Sequence, residues 1–171
     1  MTMRVLDKSF YAAQATDLAP CLLGKWLCRR MPDGTVLRRR ILETECYFGE
    51  EDTACHAHKG RTKRTDTLYL AGGVAYVYLC YGVHWLLNIV TGEENHPEAV
   101  LIRACEGKMN GPGRLTKALQ ITGQLNRGSI LGDELWVEDD GVSCAVATDT
   151  RVGIGYASEE DQSRLWRFKL K

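Results

Sequence analysis

A basic surplus is missing from this chain: 22 Lys and Arg balance 22 Asp and Glu. Proteins that bind polyanions usually advertise such a surplus, so any nucleic-acid face must be local. The seven cysteines include no Cys-x-x-C pair. With an odd count, that removes a disulfide framework and points to reduced thiols of an intracellular protein, with Cys55 and Cys80 as packing residues. No apolar run follows the start: Met1-Thr2-Met3-Arg4-Val5 reaches Asp7 and Lys8 directly, so no secretory signal is expected. The expected location is therefore cytoplasmic, in a bacterial-type cytosol or nucleoid, or nuclear if the source is eukaryotic. No repeat, low-complexity segment or linker divides the chain. Its 171 residues at 44% hydrophobic content suit one core, so residues 1–171 are expected to form a single domain.

Charge is also absent from Thr67 to Gly92, a stretch long enough to span a bilayer. Its glycines at 72, 73 and 82, the polar His84 and Asn88, and Tyr76 and Tyr78 in period two suit two short strands and a turn instead. No membrane association is expected. The turn falls at Tyr81 to His84. Turn tips favour Gly, Asn and Asp, so a bulky Tyr81 beside Gly82 reads either as a wedge for a base step or as a ring folded back on the sheet. Asn88 lies among Leu86, Leu87, Ile89 and Val90, where a buried amide costs about 1–3 kcal/mol without partners.

Elsewhere the punctuation is plain. Asp17 reads as the cap of a helix from Leu18 to Leu23 with Gly24 ending it. Lys25 to Arg30 and Thr35 to Tyr47 read as a hairpin about Met31-Pro32-Asp33-Gly34. Ala99 to Cys105 is a strand holding Arg103, which could simply pair with Glu43 or Glu106. Gly111-Pro112-Gly113-Arg114 opens a helix, Leu135 to Glu138 and Ser143 to Thr148 form a hairpin about Asp139-Asp140-Gly141, and Leu165 to Leu170 is the final strand. The expected class is α+β: a curved, mostly antiparallel sheet with packed helices and a protruding hairpin.

The richest stretch is Arg40 to His56. Extended, it puts Glu43, Glu45 and Tyr47 on one face with Ile41, and Leu42, Thr44 and Cys46 on the other. Beyond His56 come Lys59, Arg61, Lys63 and Arg64, the most basic loop in the chain and a sensible holder of phosphates.

Glu43-Thr44-Glu45-x-Tyr47 followed by His56 resembles the alkyladenine (3-methyladenine) DNA glycosylase family. So do Tyr76-x-Tyr78-x-x-Tyr81-Gly82 with Asn88 behind it, Leu101-Ile102-Arg103-Ala104, Gly111-Pro112-Gly113-Arg114-Leu115 and Arg151-Val152-Gly153-Ile154-Gly155. The resemblance runs from about residue 18 to 170. It departs at Thr65, where the family has Asn, and at His84, where an aromatic is often found. It implies a monofunctional enzyme of base excision repair that flips alkylated or deaminated purines from double-stranded DNA and hydrolyses the glycosidic bond, as a monomer and with neither cofactor nor metal. By the same resemblance Glu45 is the general base. Tyr47, His56, Tyr78 and Asn88 form the base pocket, Tyr81 intercalates, and Arg103 holds the flipped nucleotide's phosphate or the water, while Arg61 and Arg64 of the basic loop and Arg114 at the helix start are the candidate contacts to the DNA backbone. Two other classes compete: a metallohydrolase using Glu43, Glu45, Asp52, His56 and His58, which no His-Glu-x-x-His spacing supports, and a nucleic-acid-binding module without catalysis, against which Glu45 argues.

Overall fold

The computed structural model describes residues 2–171. Its centre is a long strand, β3 (Val36–Phe48), whose first half pairs with β2 (Trp26–Arg30) across the Met31 to Gly34 turn. Its second half lies between β6 (Glu98–Cys105) and β11 (Arg167–Leu170), so Glu43 to Glu45 have ladder partners on both sides. Beyond β6 come β5 (His84–Val90) and β4 (Ala75–Cys80), joined as a hairpin. On the other flank β2 meets β9 (Leu135–Asp139), which also pairs with β1 (Arg4–Val5) and β8 (Leu131–Gly132). The short β7 (Met109–Asn110) returns on β6, and β10 (Val146–Asp149) pairs with β11. All these pairings are antiparallel, within one unclosed sheet. Of the helices α1 (Lys8–Tyr11), α2 (Ala15–Cys21), α3 (Pro112–Ala118) and α4 (Glu159–Ser163), α2 packs on β3 and β6 while α3 covers β5 and β6. The class is α+β.

Away from the exposed tip at residues 81–84, the charge-free stretch is explained by burial on both faces. Ala75, Val77, Leu87 and Ile89 enter the main core, whereas Tyr76, Val90 and Asn88 point to the opposite side with Tyr78 and Leu86. Strands buried twice over leave no face for charge. Among the described residues no helix is long and apolar enough to cross a membrane.

Four expectations are corrected. Asp17 does not cap α2: the helix starts at Ala15, and the Ala15 N–H is taken at 2.7 Å by Glu98, a buried carboxylate on β6. Ile41 does not share a face with Glu43 and Glu45. Irregularities in the β3–β6 register at residues 41–44 turn it into the main core with Cys46, while Glu43, Glu45 and Tyr47 stay together. The hairpin expected about Asp139-Asp140-Gly141 is not formed. The Gly141 N–H does turn back onto Asp139, but Asp140 takes up Trp26 and Arg40, and the two strands part to different partners. The last strand begins at Arg167 rather than Leu165.

Candidate active site

Glu45 has no solvent exposure, and both carboxylate oxygens are occupied. Oε1 accepts the Tyr47 hydroxyl at 2.8 Å and Arg103 Nη1 at 3.4 Å, while Oε2 accepts the backbone N–H of Val152 at 2.7 Å. Burial pushes the Glu45 carboxyl above its ordinary range, with Arg103, the Val152 N–H and Tyr47 opposing it. Arg103 also reaches Glu43 at 3.3 Å, and Glu43 takes Arg167 at 3.0 Å. The simple reading of Arg103 as a partner of Glu43 therefore holds, and Glu45 is added to it.

Tyr47, Arg103 and Val152, the three donors to Glu45, all line one cleft of about 930 Å3, and so do His56, Arg64, Tyr78 and Tyr81. Glu45 thus lies directly behind the cleft wall. Deeper in, a cavity of about 40 Å3 adds Tyr76 and Asn88, and Tyr47, Cys55, His56, Tyr78 and Tyr156 border both spaces. Period-two geometry on β3 and β4 brings these rings together. The His56 ring meets Tyr78 edge-on at 4.5 Å between centroids, and its Nδ1 sits 3.0 Å from the Tyr76 hydroxyl. Burial, then the charges of Arg64 and Lys59, push His56 down to about 4, so it is a neutral ring at neutral pH. Asn88 is buried and donates from Nδ2 to the Tyr76 carbonyl at 3.2 Å.

Tyr81 is 91% exposed and has positive φ, as does Gly82, and the Val83 N–H closes the tip on the Cys80 carbonyl. The ring is not folded back. The cations divide. Arg64 borders the cleft and lies over Tyr78 at 5.1 Å, whereas Arg61 is held by Asp66 at 2.6 Å and Asn95 at 3.2 Å. Arg114 is exposed in the first turn of α3, next to the cleft-lining Gly113. Of the residues weighed for a metal, Asp52 is paired with Arg151 and His58 faces the Glu50 carbonyl. Among the described residues no three His, Cys, Asp or Glu converge.

Three features carried no assignment from sequence. Tyr156, 68% exposed with its hydroxyl on the Ala54 carbonyl, walls both spaces. Arg151 lies between Tyr47 and Trp166, 5.0 Å from each ring. The Val152 amide is a backbone group and leaves no mark on the sequence. The only signal was the likeness of Arg151 to Gly155 to a family segment.

A family profile described as Methylpurine-DNA glycosylase (MPG) matches residues 9–108 and 106–171. Several relatives are provisionally named 3-methyladenine DNA glycosylase. One from Borrelia garinii subsp. bavariensis is 41% identical over 179 residues, covering 97% of this chain and 96% of its own. Another from Psychrobacter cryohalolentis is 44% identical over 184 residues, covering 91% and 87%. A third from Methanocella arvoryzae is 41% identical over 186 residues, covering 97% and 92%. With profile and relatives agreeing over almost the whole length, the chain belongs to the methylpurine-DNA glycosylase family, DNA-repair hydrolases that cleave N-glycosidic bonds.

Proposed function

We propose that the protein works as a monomer on double-stranded DNA, flips an alkylated or deaminated purine into the aromatic pocket, and hydrolyses its glycosidic bond with water activated by Glu45. The base stacks among Tyr47, His56 and Tyr78, whose faces accept 3-methyladenine and other alkylpurines by shape and charge rather than by one hydrogen-bond pattern. Asn88 crowds the exocyclic amine of normal guanine. Tyr81 fills the gap left in the stack, and Arg64, Arg61 and Arg114 hold phosphates, with Arg103 on the flipped nucleotide's phosphate or on the water.

As the C1′–N bond breaks, its electron pair leaves with the base and positive charge grows on the sugar. Water oxygen bonds to C1′ and a water proton passes to Glu45, leaving an abasic strand. A cationic alkylpurine departs as a neutral base, so a neutral His56 suffices beside it; a neutral deaminated purine departs as an anion and takes up its proton from solvent. Among the described residues no lysine hydrogen-bonds or ion-pairs with Glu45, and Lys59 borders the cleft but is exposed, which supports hydrolysis by water rather than by a covalent amine.

The observation that carries this reading is Glu45 itself, buried and ready-oriented by three donors that all line the cleft. Glu45→Gln keeps the volume but cannot take the proton. Single-turnover base release should fall by at least about a hundredfold with lesion binding retained, and a variant within about tenfold of wild type would remove Glu45 from the role.

A further inference from the structure

We infer that the buried Arg151–Asp52 pair is the device that keeps Glu45 in working position, by pressing the Val152 N–H onto one of its oxygens and the Tyr47 ring beside the other. Both are positioning residues, and the inference rests on the reading of Glu45 as the base.

Asp52 sits at the end of the acidic loop after β3. Its oxygens accept the backbone N–H groups of Phe48 at 3.0 Å and Ala54 at 3.1 Å, then both arms of Arg151, at 2.6 and 3.0 Å. The same guanidinium donates to the Cys46 carbonyl at 2.9 Å, beside Glu45 in the chain, and to the Asp161 carbonyl at 3.2 Å. Neither side chain of the pair is accessible beyond 1%. Stacking on Tyr47 and Trp166 completes the enclosure.

The residue that delivers the hydrogen bond has no comparable anchor. The Val152 side chain is 47% exposed, and the chain turns at once through Gly153 at φ +73°. The placement of its amide 2.7 Å from Glu45 Oε2 is therefore inherited from Arg151 before it and the buried Ile154 after it. A buried ion pair is weak evidence of stability, since well-packed apolar residues often do as well or better. What the planar, forked guanidinium supplies is geometry. One fork ties β3, its following loop and the segment after β10 into a single frame around the base. Its charge also helps to hold Glu45 ionised against burial.

Neither Arg151 nor Asp52 lines the cleft, so weakening the pair should leave lesion binding alone and act on the chemical step. A duplex carrying one ethenoadenine, cleaved by the full chain in single turnover, reads both. Asp52→Asn, which keeps shape and loses charge, should slow base release about 10- to 100-fold while affinity stays within about threefold. A merely structural role would lower the melting temperature while leaving base release per folded molecule unchanged.

Because breaking a buried pair can prevent folding, a second variant isolates the delivered bond. Replacing Val152 by its α-hydroxy acid takes the N–H donor from Glu45, and should both slow base release and move the acidic limb of the rate profile to higher pH in a folded protein, a shift that a merely structural role would not produce. An ester variant with wild-type rate and limb overturns the inference. If Glu45→Gln is inactive in that same comparison, the inference alone falls; if Glu45→Gln still cleaves within about tenfold, the reading of Glu45 falls and takes the inference with it.

Discussion

At the scale of single residues, the site combines two groups held where free peptides would not have them. Tyr81 occupies the left-handed region at φ +52°, a conformation that costs a non-glycine residue about 1–2 kcal/mol. Its side chain makes no compensating contact, being 91% exposed. Tyr81→Asn should therefore raise stability by about 1 kcal/mol in urea unfolding while weakening excision of well-paired lesions more than of mismatched ones, since an unpaired base costs less to extrude. Equal losses on both substrates would leave the ring without a role in flipping. His56 is the second case. Unfolded, it takes up a proton near the ordinary 6.5; folded, only near about 4. Between those values the unfolded chain binds more protons, so stability falls as the pH drops through that window. The loss should be about 2 kcal/mol once screening at the partly buried ring is allowed for. His56→Phe should flatten the difference in urea midpoint between about pH 7 and about pH 4.5, and parallel curves for variant and wild type would refute the assignment. Glu45, pushed the opposite way, acts equally in both proteins and cancels from the comparison.

Among the elements, legibility followed locality. The hairpin β4–β5 was readable because alternation, glycine at the tip and absent charge all lie within one stretch. So was β3 with its turn, and Glu45 with Tyr47 followed from period two. What failed depended on partners far along the chain. The α2 cap comes from Glu98, and no local rule could prefer it to Asp17. The twist of Ile41 into the core arises where β6 fails to keep register with β3. Asp139-Asp140-Gly141 has the chemistry of a turn, but β2 captures one flanking strand and β11 the other. In the site, the aromatic walls were legible while the Val152 amide was not, because an N–H is common to almost every residue and only the tertiary frame aims it. The joint between α2 and β3 is testable by itself. Thr44 points away from Glu45 and donates to the Ala19 carbonyl at 2.7 Å in a buried setting. Thr44→Val should cost about 1–2 kcal/mol, seen as a lower urea midpoint at unchanged slope, with base release per folded molecule preserved. A loss of catalysis instead would mean that α2 helps to hold the strand carrying Glu45.

For the whole molecule, the decisive quantity is how a chain with 22 charges of each sign engages a polyanion. Ion pairing answers it by removing many of the cations from competition. Arg38 and Arg40 are held by Glu138 and Asp140, Arg29 by Glu134, Arg151 by Asp52 and Arg164 by Asp161. The cleft margin keeps Lys59 and Arg64, and the start of α3 presents Arg114 beside it. Counterion release counts local phosphate contacts and takes no account of net charge. Binding to a lesion duplex should therefore weaken with salt, with a slope of log affinity against log salt of about −3, as expected for roughly three to four contacts. Lys59→Gln with Arg64→Gln should reduce the magnitude of that slope by nearly two, while Arg38→Gln, engaged with Glu138, should leave it unchanged. A slope unmoved by the double variant would place the footprint on another face, and would separate the cleft at Glu45 from the surface that first captures DNA.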